Sequence, residues 1–246
     1  LNRTRVETEG FSYGESNTVD ESRTTPFAGA VLDLGPVWSV YASYGEIFSQ
    51  QSEVDVDNRL VGPIEGSNAE IGLKGEWFDG GLNASLAVFR ADQDNLAEYA
   101  GFDAARNESW YEMLDGTRTR GFELELAGEV SPGWNLFLGY TYRVSKDNAG
   151  RKVQTTQPEQ MLKASTTYRL PGALDQFTVG GGVSWQSAFY GQSFSPTDGS
   201  TSLKQGGYTL VDLMIRYKYD DHLSFTVNAY NVFDKRYLTG LGNFGT

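Results

Sequence analysis

From Gly121 to Ser145 the chain reads GFELELAGEVSPGWNLFLGYTYRVS, and apolar residues return at almost every second position. Phe122, Leu124 and Leu126 alternate with Glu123, Glu125 and Ala127. Past the turn residues Ser131-Pro132-Gly133, one face holds Trp134, Leu136, Leu138, Tyr140, Tyr142 and Val144. The other holds Asn135, Phe137, Gly139, Thr141, Arg143 and Ser145. A period of two predicts β-strand. The second run is about twice the ordinary strand length, so its apolar face needs an apolar surrounding of matching depth.

The same alternation predicts strands over 27–34 and 37–48, 69–78 and 82–90, 118–130 and 133–146, 160–170 and 176–190, and 207–219 and 222–233. Within each pair the join is short and carries turn chemistry, as at Gly35-Pro36, Asp79-Gly80-Gly81, Pro171-Gly172 and Asp220-Asp221. Between pairs lie longer polar segments at about 49–66, 98–116, 147–158 and 191–206. An up-and-down meander then puts every short turn on one rim and every long loop on the other. Outer-membrane barrels sort their connections this way, with short periplasmic turns and long external loops. A propeller has a similar period but packs four short strands into each repeat, which two long strands and one long loop do not match.

Hydropathy alone points elsewhere. The 246 residues are 39% hydrophobic, mean hydropathy is -0.42, and no run approaches the ~20 apolar residues of a spanning helix. This excludes helical membrane proteins only, because a barrel hides its apolar residues at alternate positions. Ile71, Leu73 and Trp77 are set against Glu70, Lys74 and Glu76; Val211, Leu213, Ile215 and Tyr217 against Asp212, Arg216 and Lys218. The first sets are expected to face hydrocarbon and the second a wet lumen. Trp38, Trp77, Trp134 and Tyr219 fall near short turns, and Tyr44, Tyr142, Trp185 and Tyr208 near long loops, as two interfacial aromatic girdles would.

Twenty basic against 32 acidic residues give a net charge of -12, which repels phosphate backbones and argues against nucleic acid as a partner. Zero cysteines exclude disulfides, thiolate metal sites and thiol nucleophiles. The first residues, LNRTRVETEG, contain no apolar signal-peptide core and read as a strand already under way; the last, GLGNFGT, stop without a closing strand. Both ends read as cut, so the expectation is a fragment of a longer chain.

Six stretches together resemble the barrel of TonB-dependent outer-membrane siderophore receptors, in particular the branch for ferric pyoverdine, ferrioxamine and other hydroxamate-type siderophores. They are TPFAGAVLDLGPVWSVYASYGEIFSQQ (25–51), NAEIGLKGEWFDGGLNASLAVFRADQDNLA (68–97), RGFELELAGEVSPGWNLFLGYTY (120–142), VGGGVSWQS (179–187), QGGYTLVDLMIRY (205–217) and NVFDKRY (231–237). Any one is weak, but the ordered set is specific. The resemblance implies an all-β, antiparallel up-and-down transmembrane β-barrel of about 22 strands, of which residues 1–246 would be a C-terminal portion of about 11 strands, without the plug domain and the final strand. It further implies a monomeric barrel in the outer membrane of a Gram-negative bacterium. Its external loops and lumen would bind a ferric siderophore as the transported ligand, energised by TonB-ExbB-ExbD through an absent N-terminal region. No intrinsic cofactor and no enzymatic step are expected.

The resemblance carries no ligand residues with it, so candidates rest on chemistry. A siderophore wants a concave, aromatic-lined pocket with a few polar groups, and the loop-side residues of that type are Phe48, Gln50, Tyr99, Trp110, Tyr111, Tyr190, Tyr237 and Phe244. Other groupings have ordinary readings. His222 is the only histidine and abuts a short turn, which excludes a histidine metal cluster within this chain, and no Ser/His/Asp grouping can be argued from it. Asp92, Asp94 and Glu98 lack the Gly and distal Glu of a calcium loop. Glu123 and Glu125 could mimic a glycosidase pair, yet inward neighbours Arg143 and Lys163 favour a charge-balanced lumen wall. The glycines of VGGGVSW lack the Lys and helix of a phosphate loop and instead make room on the inner wall. The alternatives are another outer-membrane barrel, porin-like or enzymatic, and a soluble β-sandwich binding module.

Overall fold

The computed structural model describes the backbone of residues 2–12, 15–195 and 199–241, and the side chains of 23–191 and 202–241. A hairpin of β1 (Asn2–Ser12) and β2 (Glu15–Thr25) leads into β3 (Phe27–Asp33). The chain continues through β4 (Trp38–Ser49), β5 (Ile64–Trp77) and β6 (Leu82–Asp94), then a local hairpin of β7 (Leu96–Asp103) and β8 (Glu108–Leu114). After it come β9 (Thr117–Ser131), β10 (Trp134–Lys146), β11 (Gln160–Arg169) and β12 (Phe177–Gln186). A second local hairpin, β13 (Phe189–Ser195) and β14 (Gly199–Gln205), precedes β15 (Tyr208–Lys218) and β16 (Ser224–Ala229).

Ten of these strands form one antiparallel sheet in the order β16-β15-β12-β11-β10-β9-β6-β5-β4-β3. With the two local hairpins set aside, neighbours in the sheet are neighbours in the chain, as the meander requires. All ten predicted strands are present. The run 176–190 divides at Ser187-Ala188, where the chain leaves the sheet to begin β13. The run 222–233 stops at Ala229, because Asn231 and Asp234 both take φ of 48°. The Asn231 side chain closes that turn, donating to the Lys235 carbonyl and accepting from the Lys235 amide.

Register confirms the assignment of faces. Leu32, Val40, Leu73, Leu86, Leu124, Tyr140, Leu162 and Trp185 stand side by side across successive strands. One residue further, on the opposite face, run Ser39, Lys74, Ser85, Glu125, Gly139, Lys163 and Ser184. Gly180 and Gly182 pair with Thr167 and Ser165, which places them on that polar face, with Gly181 on the apolar one. A one-residue slip anywhere would exchange the two sets.

Among the described residues no second layer covers the apolar face. Apart from β2 against β4 and β13 against β7, the principal contacts between elements join hydrogen-bonded neighbours. Leu213 and Phe225 are 53% and 57% exposed. A β-sandwich would bury both, so that alternative is overturned. Lipid on one face and water on the other allow such a wall to be one strand thick. Trp38 and Trp77 meet edge to face at 5.1 Å near the short turns, and Phe122 lies 5.6 Å from Tyr140 and 5.8 Å from Tyr142 nearer the loops. Tyr208 departs from the girdle expectation. It pairs with Gln186 on the polar face and is buried.

The buried apolar side chains concentrate at the loop end. Val61, Leu96, Val153, Phe189 and Tyr208 all lie there, beside buried Gln51, Thr117, Thr119 and Ser145; Ala87, mid-strand on the polar face, is the exception. The densest packing therefore supports the loops rather than the wall.

Candidate functional site at the loop rim

The long segments that read as polar loops are in large part structured. In 49–63, Val54 bridges to Leu60, and Asp55 Oδ1 accepts the amides of Asp57 and Arg59 at 2.9 Å each. This small lobe docks on β8 through the Tyr111 amide, which donates to the Val54 carbonyl at 2.9 Å. Arg106 reaches the Val56 carbonyl at 2.8 Å.

Gln51 ties the lobe to the root of the β7–β8 hairpin. Its Nε2 donates to the carbonyls of Gly62 and Asn95 at 2.8 and 2.7 Å, and its Oε1 accepts the Ala97 amide at 2.9 Å. Asn95, at φ 59°, donates its side-chain amide to the Pro63 carbonyl. A buried amide with all these partners made is worth a few kcal/mol more than one left unpaired. Across the rim, Thr119 and Ser145 share a hydrogen bond of 2.7 Å, and Ser145 donates to Gln154 Oε1 at 2.9 Å. Sequence reasoning missed Gln51, Asn95, Thr119 and Ser145 because their partners lie 9 to 46 positions away.

Contacts continue from loop to loop. The Gln154 backbone hydrogen-bonds Glu98 of β7, whose carboxyl is nonetheless raised from its ordinary value, burial outweighing that bond. The Tyr190 amide of β13 donates to the Thr155 carbonyl at 2.9 Å. The Leu238 amide donates to Gln205 Oε1 at 2.9 Å. Between β10, the 147–159 segment and β13 a cavity of about 190 Å³ is lined by Arg143, Lys152, Glu159, Phe189, Tyr190 and Lys204, among others. Lys152 and Glu159 pair there at 2.6 Å, and Arg143 donates to the Gln157 side chain.

The sequence candidates are distributed over this rim rather than gathered. Tyr99 and Tyr111 sit opposite one another with rings edge to face at 6.2 Å. Trp110, adjacent in β8, lies on the other face of the hairpin. Its indole crosses Gly101, where a Cβ would come within 2.5 Å of Nε1. Phe48 pairs with Glu65 on the outward face, in line with Tyr44. Gln50 adjoins the Gln51 knot. Tyr190 is exposed, and Tyr237 stacks on Tyr208 at 4.4 Å. Phe244 lies outside the described residues. Nor do Asp92, Asp94 and Glu98 converge as a calcium loop would. Asp92 holds Arg90 and Arg118, Asp94 accepts the Gly116 amide, and Glu98 faces Gln154.

A one-layer wall with structured loops on a single rim has counterparts among known proteins. Residues 2–232 match the family described as TonB dependent receptor-like, beta-barrel. The chain belongs to this TonB-dependent receptor family. It is 43% identical over 237 residues to the ferripyoverdine receptor of Pseudomonas aeruginosa, covering 93% of this chain and 29% of that protein. It is 39% identical to the ferric-pyoverdine BN7/BN8 receptor of Pseudomonas putida, covering 96% and 28%. The solved structure of the outer-membrane receptor FpvA from Pseudomonas aeruginosa PAO1 bound to pyoverdine superposes with a TM-score of 0.80 at 41% identity, over 95% of this chain and 35% of that one. The chain thus spans about three-tenths of its curated relatives' length. As a TonB-dependent receptor barrel segment it is part of an outer-membrane wall, its outward leucines facing lipid and its loop-bearing rim facing outside.

Proposed function

We propose that residues 1–246 form a C-terminal portion of the barrel of an outer-membrane ferric-siderophore receptor, energised through TonB-ExbB-ExbD acting on a plug elsewhere in the protein. The role is capture and passage of an iron chelate, with no bond made or broken by the protein. The loop rim supplies aromatic faces, at Tyr99, Tyr111 and Tyr190, and polar groups, at Arg143, Lys152 and Lys204, for a bulky ligand with an anionic or hydroxamate periphery. The ligand class is a pyoverdine-like peptidic siderophore. Support comes above all from one observation: the likeness to pyoverdine receptors extends over 93% and 96% of this chain.

The test replaces 96–114 with a two-residue turn in the complete receptor and follows iron-55-labelled ferric pyoverdine. At least tenfold weaker binding is expected from a barrel that still assembles, with uptake in intact cells abolished by collapsing the proton gradient. Undiminished binding without the hairpin, or uptake indifferent to the gradient, would reject the reading.

A further inference from the structure

The inner face of the sheet divides by charge. Among the described residues, the inward positions of β3 to β9 carry Asp33, Glu70, Glu76, Glu123, Glu125 and Glu129, against Lys74 alone. Those of β10 to β15 carry Arg143, Lys163, Arg169, Arg216 and Lys218, against Asp212 alone. Asn135, Phe137, Gly139 and Thr141 of β10 form an uncharged strip between the two sets.

The minority charges are occupied locally. Lys74 lies 4.7 Å over the Tyr41 ring, Asp212 accepts the Asn231 amide at 2.8 Å, and Lys218 pairs with Asp221 of its own turn at 2.6 Å. Among the described residues, Arg143, Lys163, Arg169 and Arg216 have no carboxylate partner. Opposite charges on adjacent strands stabilise a sheet, so folding alone gives no reason to sort them apart. Sorted, they set a field across the lumen, which a low-dielectric wall backed by lipid focuses.

The unpaired cations fall at three levels. Arg143 stands at the rim, in the cavity it shares with Lys152 and Lys204. Lys163, opposite Gly139, lies about 14 Å further in, and Arg169 about 20 Å beyond that, level with Arg216 across Thr178. Lys163 opens into a recess of about 310 Å³ whose walls include Gln186, Leu210 and the stacked rings of Tyr208 and Tyr237. We propose that Lys163, Arg169 and Arg216 mark the path of an anionic iron chelate through the barrel. The chelate passes from the rim along the β11–β15 face, halts in the Lys163 recess and leaves past the Arg169–Arg216 pair, while the carboxylates of β3–β9 repel it from the other side. The inference rests on the functional reading above and adds to it the wall that the cargo follows.

The test uses the complete receptor in intact cells with iron-55-labelled ferric pyoverdine, and follows surface binding and uptake separately. Arg169→Gln/Arg216→Gln removes the inner pair, Arg169→Lys/Arg216→Lys keeps its charge, and Glu76→Gln alters the opposite face, also near the short turns. Surface binding should be unchanged in all three, which also reports that each assembles. Uptake at saturating chelate should fall on the order of tenfold in the Gln double variant and stay within about twofold of wild type in the Lys one, with Glu76→Gln as fast as wild type. Lys163→Gln, in the open recess, should slow uptake in the same sense. Wild-type uptake by the Gln double variant, a Lys variant as slow as the Gln one, or equal slowing by Glu76→Gln would overturn the path. So would entry of vancomycin through the Gln double variant, which would show that the guanidiniums brace the plug instead. An unaltered receptor that neither binds nor imports the chelate rejects the functional reading and the path together; one that imports it at a rate none of these changes alters rejects the path alone.

Discussion

Leu138 is the position where lipid contact can be tested most directly. It lies four residues from Trp134 and four from Tyr142 on the outward face of β10, about 14 Å along the strand from each. At the usual barrel tilt of roughly 40° that is on the order of 10 Å of depth from either belt, close to mid-bilayer. Its lateral neighbours on that face are Leu126 and Ala164, so an introduced guanidinium would find no anion beside it. Leu138→Arg should then cost roughly 2–4 kcal/mol of folded-state stability, a factor of about 30 to 1000. Thr141→Arg on the same strand faces the lumen directly opposite Glu123 and should cost less than about 1 kcal/mol. Leu138→Ala serves as the reference that removes the leucine without adding charge. The assay is reversible folding of the complete receptor into phospholipid vesicles, read by denaturant titration. Arg tolerated equally at 138 and 141 would mean that the two faces are not solvated differently, and the wall as described would be wrong.

Further predictions concern the rim. Gln51→Ala deletes three hydrogen bonds at a buried site and should destabilise the 49–63 lobe by about 1–3 kcal/mol, seen as faster local proteolysis with the barrel intact. Gly101→Ala should expel the Trp110 indole, whose Nε1 would lie 2.5 Å from the new Cβ, and cost roughly 1–3 kcal/mol as faster hydrogen exchange in the β7–β8 hairpin only. Burial raises Glu98 above its ordinary 4.5, so the folded hairpin binds the proton more tightly than the unfolded one does. Its docking should therefore weaken as pH rises from about 4.5 through the raised value. Glu98→Gln should abolish that pH dependence and make the docked hairpin more persistent at neutral pH, both measurable by exchange protection.

The wall was legible because a period of two sustained over ten or more residues demands a long strand with unlike solvents on its two faces, and pairing then fixed which face met lipid. Ile71 against Glu70, or Leu213 against Asp212, needed no structure to sort. Tyr208 could also have been sorted by parity with Val211 and Leu213, but nearness to a loop suggested a girdle instead. The same oversight grouped Trp110 with Tyr111. Neighbours in a strand point to opposite faces, and the hairpin separates them. What lay beyond the sequence was the rim's own order. Glycines and acids interrupt β7, β8, β13 and β14, so their alternation is too short to register, and the Gln51 amide finds partners that no local pattern connects.

The hand-to-hand bonding from the 49–63 lobe through Glu98, Gln154 and Thr155 to Tyr190 has a bearing on how such receptors diversify. A segment borrowed from a cousin must match the partners on both its flanks, so a change of cargo by swapping one loop leaves its neighbours with dangling amides. Transplants should succeed in blocks that carry adjoining segments together, and inherited differences among related receptors should travel in the same blocks.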